Sequence, residues 1–196
     1  MNRILLIVST LLLIHTTGSA QNSISKELSV KGKVSPYGIA GQQAPELNVA
    51  EWVDAEGKKR TPVQLADHAG QFTVIYGFQA WCPGCHSRGL PALKKMSDAL
   101  SDNPKVNFMA IQTVFEGAHA NTYDRMLEIQ KEYDLKIPFG HDEGQVHRGR
   151  KIANTMVSYS TGGTPWFIFI DQKGKVVFND FHLDVDKAIA FLKEVE

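Results

Sequence analysis

The chain has 196 residues, no net formal charge, 43% hydrophobic residues and 21% charged ones. That is enough apolar content for one domain with a real core. Neutrality argues against a basic nucleic-acid footprint and against a polybasic membrane patch.

Met1-Asn2-Arg3 is a short basic start, Ile4 to Ile14 is almost unbroken apolar sequence, and Gly18-Ser19-Ala20 supplies small residues. This pattern predicts a secretory signal peptide over 1–20, cleaved after Ala20. The apolar run is too short to span a hydrocarbon core of ~30 Å. No cysteine follows the small residues, so a lipoprotein is not expected. The protein is then periplasmic or secreted, where disulfides persist.

Residues 21–43 are polar and lack periodicity, which predicts a linker or loosely packed arm. The folded domain is expected over 44–196. Leu47 to Val53 alternates, Asp54-Ala55-Glu56-Gly57 turns, and Lys58 to Leu65 returns, predicting a β-hairpin. Phe72 to Phe78 reads as a buried strand. Pro83 to Ala99 reads as a helix kinked at Pro91, with Leu90, Leu93, Met96 and Leu100 on one face. Val106 to Thr113 predicts a strand, Thr122 to Tyr133 an amphipathic helix, and Ile137-Pro138-Phe139 a short strand. Gly140 to Gly144 looks like a turn and Val146 to Asn154 like a brief helix. Trp166 to Ile170 is apolar on both faces, as in a central strand, and Lys175 to Phe181 completes a hairpin through Asp171 to Gly174. Asp184 is placed to cap a last helix through Val195. Strands alternating with helices predict a three-layer α/β/α sandwich.

The only two cysteines fall in Trp81-Cys82-Pro83-Gly84-Cys85, between the strand ending at Phe78 and the helix starting at Pro83. So short a loop makes a weak structural staple, worth about 2 kcal/mol on the loop-closure formula. A thiol at a helix N-terminus faces unpaired N–H groups, which favour the thiolate, the nucleophile of disulfide exchange. A dithiol–disulfide pair is therefore the leading reading.

With Gly163-Thr164-Pro165 leading into Trp166 to Ile170, and a helix kinked at Pro91, this motif resembles the thioredoxin superfamily. The N-terminal hairpin and the extra helix and strand between Thr113 and Phe139 resemble its exported TlpA/ResA branch, which shares architecture with peroxiredoxins. The resemblance implies a thioredoxin-like α/β fold with an N-terminal β-hairpin and a central αβ insertion. It implies Cys82 as the exposed attacking thiolate, Cys85 as the buried resolving thiol, and Pro165 as a cis-proline. Thr164 would pair its backbone with substrate, and Trp81 would shield the disulfide, although packing alone also accounts for that side chain. Threonine before the cis-proline is common among reductase-type relatives, so reduction is the expected direction. The expected partners are protein thiols and disulfides, with a membrane thiol relay as electron source. No cofactor other than the Cys82–Cys85 redox pair is expected, and a monomer is the default.

Three positions depart from that family. Tyr76 stands where thioredoxins carry a buried aspartate. His86-Ser87-Arg88-Gly89 carries no acid where ResA-like proteins place one, leaving His86 or Arg88 to favour a thiolate. The spacing from Cys85 to Pro91 is one residue longer than usual.

A rival reading takes Cys82-Pro83-Gly84-Cys85-His86 as a c-type haem attachment site in an electron carrier, with His86 as axial ligand. A strand–helix junction in an α/β chain argues against it. Closed zinc sites need four ligands, and His68, His119, His141, His147 and His182 are scattered singly. A peroxiredoxin-like thiol peroxidase needs a threonine-assisted cysteine, which Gln79-Ala80-Trp81-Cys82 does not supply.

Overall fold

The computed structural model describes residues 24–147 and 149–195, with His147 described by its backbone alone. The expected signal peptide, 1–20, lies outside these residues. The strands are β1 (Glu51–Val53), β2 (Lys59–Arg60), β3 (Phe72–Phe78), β4 (Val106–Thr113), β5 (Phe139–Asp142), β6 (Gln145–His147), β7 (Arg150–Ile152), β8 (Trp166–Ile170) and β9 (Val176–Asp180). The helices are α1 (Leu90–Ala99), α2 (Tyr123–Glu132), α3 (Asn154–Ser158) and α4 (Val185–Lys193).

One mixed seven-stranded sheet runs in the order β2-β1-β5-β4-β3-β8-β9. The apolar runs β4, β3 and β8 lie inside it, every residue of β3 and β8 is buried, and so is every residue of the edge strand β9. β3 pairs in parallel with β4 and antiparallel with β8, so the chain leaving β3 emerges beside the chain entering β8. The expected central insertion is α2 with β5, and it places β5 between β4 and β1.

Alternation along the strands divides the core. Phe72, Val74, Tyr76 and Phe78 face α1, α2 and α4, packing on Leu93, Met96, Met126, Ile129 and Leu192. Ile75, Met109, Ile111, Trp166 and Ile168 face the other side, covered by Tyr159 after α3 and by Ile39, Leu47 and Val49. This is the thioredoxin-like layered α/β fold.

Four local expectations are corrected. The first hairpin is only three and two residues long, because Pro62 follows β2 and cannot extend the ladder. Gly140 to Gly144 is not a turn: Gly140, His141 and Asp142 lie in β5, buried. Asp142 is satisfied there by the Asn154 and Thr155 N–H groups at 3.1 and 2.7 Å and by the Thr155 hydroxyl. The helix expected over 146–154 is instead the β6–β7 hairpin, with α3 following. Residues 24–43, expected as a polar arm, pack onto the domain. Leu28 is fully buried, Ser29 bridges Leu183, and Gln43 bridges Lys175.

Candidate active site

β3 is buried to its last residue, and it delivers Gln79 to Cys82 at its C-terminal edge. The chain then turns, with the Cys82 N–H donating to the Gln79 carbonyl at 3.1 Å. The Cys85 N–H donates to the Cys82 carbonyl at 3.0 Å and also points at Cys82 Sγ, 3.3 Å away. A backbone donor on the sulfur is a contact that a thiolate strengthens. Both cysteines are free thiols.

The two sulfurs differ in access. Cys82 keeps 8% of its surface and Cys85 none. Cys82 is therefore less open than the exposed nucleophile expected from the sequence, with only an edge free. Burial pushes the Cys85 thiol up to about 12, with the contact to Cys82 adding to it.

The Thr164–Pro165 bond is cis, and Cys82 Sγ lies 3.6 Å from the Thr164 carbonyl. Cys82, Cys85, Thr164 and Pro165 are thus brought together, although 82 positions separate Cys82 from Thr164. The helix does not kink simply at Pro91. A π-helical turn over Cys85–Gly89 precedes α1 and absorbs the additional residue between Cys85 and Pro91. Tyr76 reaches this turn and donates its hydroxyl to the Cys85 carbonyl at 3.4 Å. Burial raises its pKa well above the ordinary tyrosine value, so it stays neutral.

His86 is committed to the scaffold. Its Nε2 lies 2.6 Å from the Ala80 carbonyl and therefore carries a proton, while Nδ1 pairs with the Tyr133 hydroxyl at 2.9 Å. Haem attachment at this motif would need the buried Cys85 sulfur to leave the core and His86 to release Ala80. Among the described residues, no cluster of three or more His, Cys, Asp or Glu is arranged to hold a metal.

Trp81 is 45% exposed, and its Nε1 lies 3.3 Å from both Gln79 Oε1 and the Glu116 carbonyl. Gln79 and Asn121, both buried, were not singled out in the sequence. Asn121 Oδ1 accepts the Ala80 N–H at 2.6 Å, and its Nδ2 donates to the Glu116 carbonyl at 2.7 Å. A polar residue closing the apolar run of β3 is the sole sequence signal for Gln79, and Asn121 had none.

No curated protein matches the chain. Solved structures do. A thioredoxin-like superfamily protein shares 31% identity, with a TM-score of 0.67 over 78% of this chain and 95% of that one. A thiol–disulfide isomerase from Corynebacterium glutamicum shares 27% identity, with a TM-score of 0.63 over 78% and 96%. A secreted disulfide oxidoreductase from Mycobacterium tuberculosis matches in fold at 21% identity, with a TM-score of 0.51 over 73% and 93%. The sequence itself matches the Redoxin family over residues 39–188, and the chain belongs to that family.

Proposed function

We propose that this protein is an exported thiol–disulfide oxidoreductase of the TlpA/ResA type, exchanging disulfides with protein substrates and working as a reductase. The observation that carries the reading is the pairing of Cys82 and Cys85 across one turn, against the cis Thr164–Pro165 bond. Similarity to a thiol–disulfide isomerase supports it, and Thr164 before the cis-proline supports the reductive direction. The basic and apolar residues of 1–20 support export.

In the reducing direction, the Cys82 thiolate attacks one sulfur of a substrate disulfide. The Cys82–substrate bond forms, the substrate bond breaks, and the leaving sulfur departs with the electron pair and takes a proton from water. Cys85 then loses its proton and attacks Cys82 Sγ. This closes the Cys82–Cys85 disulfide and releases the second substrate thiol. Two electrons have passed to the substrate, and an external dithiol donor must restore the pair. Tyr76, neutral and buried, is no base for Cys85, so that proton leaves to water.

Titrating the purified protein against glutathione tests the assignment. A potential well below about −200 mV supports a reductase, and one near about −120 mV overturns that direction. A Cys82→Ser variant that still exchanges disulfides would overturn the mechanism.

A further inference from the structure

A groove of about 730 Å³ lies between α1 and the loop joining β9 to α4, and its lining reaches Thr164 and Pro165, where the Thr164 carbonyl meets Cys82 Sγ. Its walls include Val30, Phe181, Leu183 and Val185. Val30 and Phe181 are 42% and 40% exposed, among the larger apolar side chains left uncovered in the described residues.

The charged side chains lining this groove are Arg88 and Lys95, with His182 beside them, and no Asp or Glu lines it. Lys95 is held by Asp186 at 2.6 Å and His182 lies 3.2 Å from Asp180. Arg88 is exposed, on the π-helical turn, with no hydrogen bond or ion pair among the described residues. Its position relative to the sulfur follows from Gly84. A side chain there would start 3.8 Å from Arg88 Nη2, 3.9 Å from Cys82 Sγ and 3.3 Å from Pro165 Cδ. The unpaired guanidinium, the sulfur and the proline ring therefore surround a single point.

We infer that the substrate is an extended polypeptide whose cysteine is flanked by an acidic residue, which pairs with Arg88, and by an apolar residue, which lies in the groove against Val30 and Phe181. This deepens the thiol-exchange reading and rests on it. Guanidinium takes carboxylate through paired N–H donors. A partner of opposite charge is also drawn to the site faster. A small thiol would cover the sulfur and leave the apolar wall in water, which argues for a chain long enough to cover both.

The test uses the full chain with Cys85→Ala, so that the mixed disulfide persists. Peptides of one length carry cysteine as a thiopyridyl disulfide, flanked by Asp, Asn or Lys, with Leu or Gly on the other side. Attack by Cys82 on the peptide sulfur forms the Cys82–peptide bond. Thiopyridine leaves with the electron pair, is protonated by water, and is read by absorbance. At low salt the Asp peptide is captured about fivefold faster than the Lys peptide, as for one surface charge pair. That gap shrinks in about 0.5 M salt as the charges are screened. Arg88→Glu reverses the order, and Val30→Asp removes the preference for Leu over Gly. Equal capture of the Asp, Asn and Lys peptides overturns the inference, as does an unchanged order in Arg88→Glu. Capture of uncharged dithiodipyridine as fast as the best peptide overturns it as well. If dithiodipyridine reacts without any peptide preference, only the substrate inference falls. If nothing reacts, the thiol-exchange reading falls and takes this inference with it.

Discussion

The hydroxyl of Tyr76 fills the space that a side chain on Gly89 would need. A Cβ there would fall onto the hydroxyl oxygen, 2.7 Å from Tyr76 Cζ and 2.8 Å from Pro165 Cβ. Tyr76 is fully buried, with Phe78 stacked at 5.8 Å and Phe167 tilted at 4.8 Å, so its ring has no room to retreat. Sheet, π-helical turn and cis-proline loop therefore meet at these two residues. Gly89→Ala is expected to destabilise by about 1–3 kcal/mol through overpacking. Adding Tyr76→Phe, which removes the oxygen, restores part of that loss. Urea denaturation of both singles and the double measures the coupling, and strict additivity would refute the contact.

Resolution by Cys85 should be base-limited. Burial, the largest cause, holds its thiol well above the ordinary value, and among the described residues no carboxylate is found against it to take the proton. The rate of the second thiol's release should then rise about tenfold per pH unit between about pH 6 and pH 9, without a plateau. Stopped-flow single turnovers read this slope. A plateau below about pH 8 would show that some group takes the proton after all.

The two cysteines should fail differently. Cys82→Ser loses exchange altogether, whereas Cys85→Ser captures substrate and stalls as the mixed disulfide. Mass spectrometry after mixing with a disulfide-bonded peptide distinguishes them. In the reduced wild type, iodoacetamide should label Cys82 well before Cys85, whose side chain is wholly buried.

Acid should destabilise the fold in part through His141. Burial is the main cause lowering its pKa, and its Nδ1 pairs with Gln112 Nε2 at 3.0 Å, so the ring is neutral with the proton on Nε2. The folded value lies below the unfolded one of about 6.5. Stability from this group is thus present above about pH 6.5 and is lost as pH falls towards the folded value, because the unfolded chain binds the proton first. Thermal unfolding at pH 7 and pH 5 should show a smaller drop in Tm for His141→Gln than for the wild type. Equal drops would remove His141 as the cause.

Asn121 should matter to the motif without touching a sulfur. Asn121→Ala strands the buried Ala80 N–H, at a cost of about 1–3 kcal/mol. It also removes the Nδ2 donor to Glu116, whose carbonyl meets Trp81. Acrylamide should quench the Trp81 fluorescence more in the variant. Unchanged quenching would mean that Trp81 is held by other contacts.

Sequence alone determined the elements that carry continuous local signals. The apolar runs at Phe72–Phe78, Val106–Thr113 and Trp166–Ile170 became the strands expected of them, and Asp184 caps α4 by accepting from the Lys187 N–H at 3.3 Å. Such signals work because burial and capping are set within a few residues. Signals failed where polar residues are buried against distant partners. His141 and Asp142 look like turn residues until Gln112, Asn154 and Thr155 satisfy them. Leu28 and Ile39 look like isolated apolar residues in a polar arm until the two cores cover them. Only the tertiary structure decided what surrounds Cys82. The order of strands carries the Thr164 carbonyl to its sulfur, and the π-helical turn sets Arg88 above Gly84. Contacts between segments so far apart in the chain leave no periodicity in either one, since they depend on how the sheet is assembled and not on its pieces.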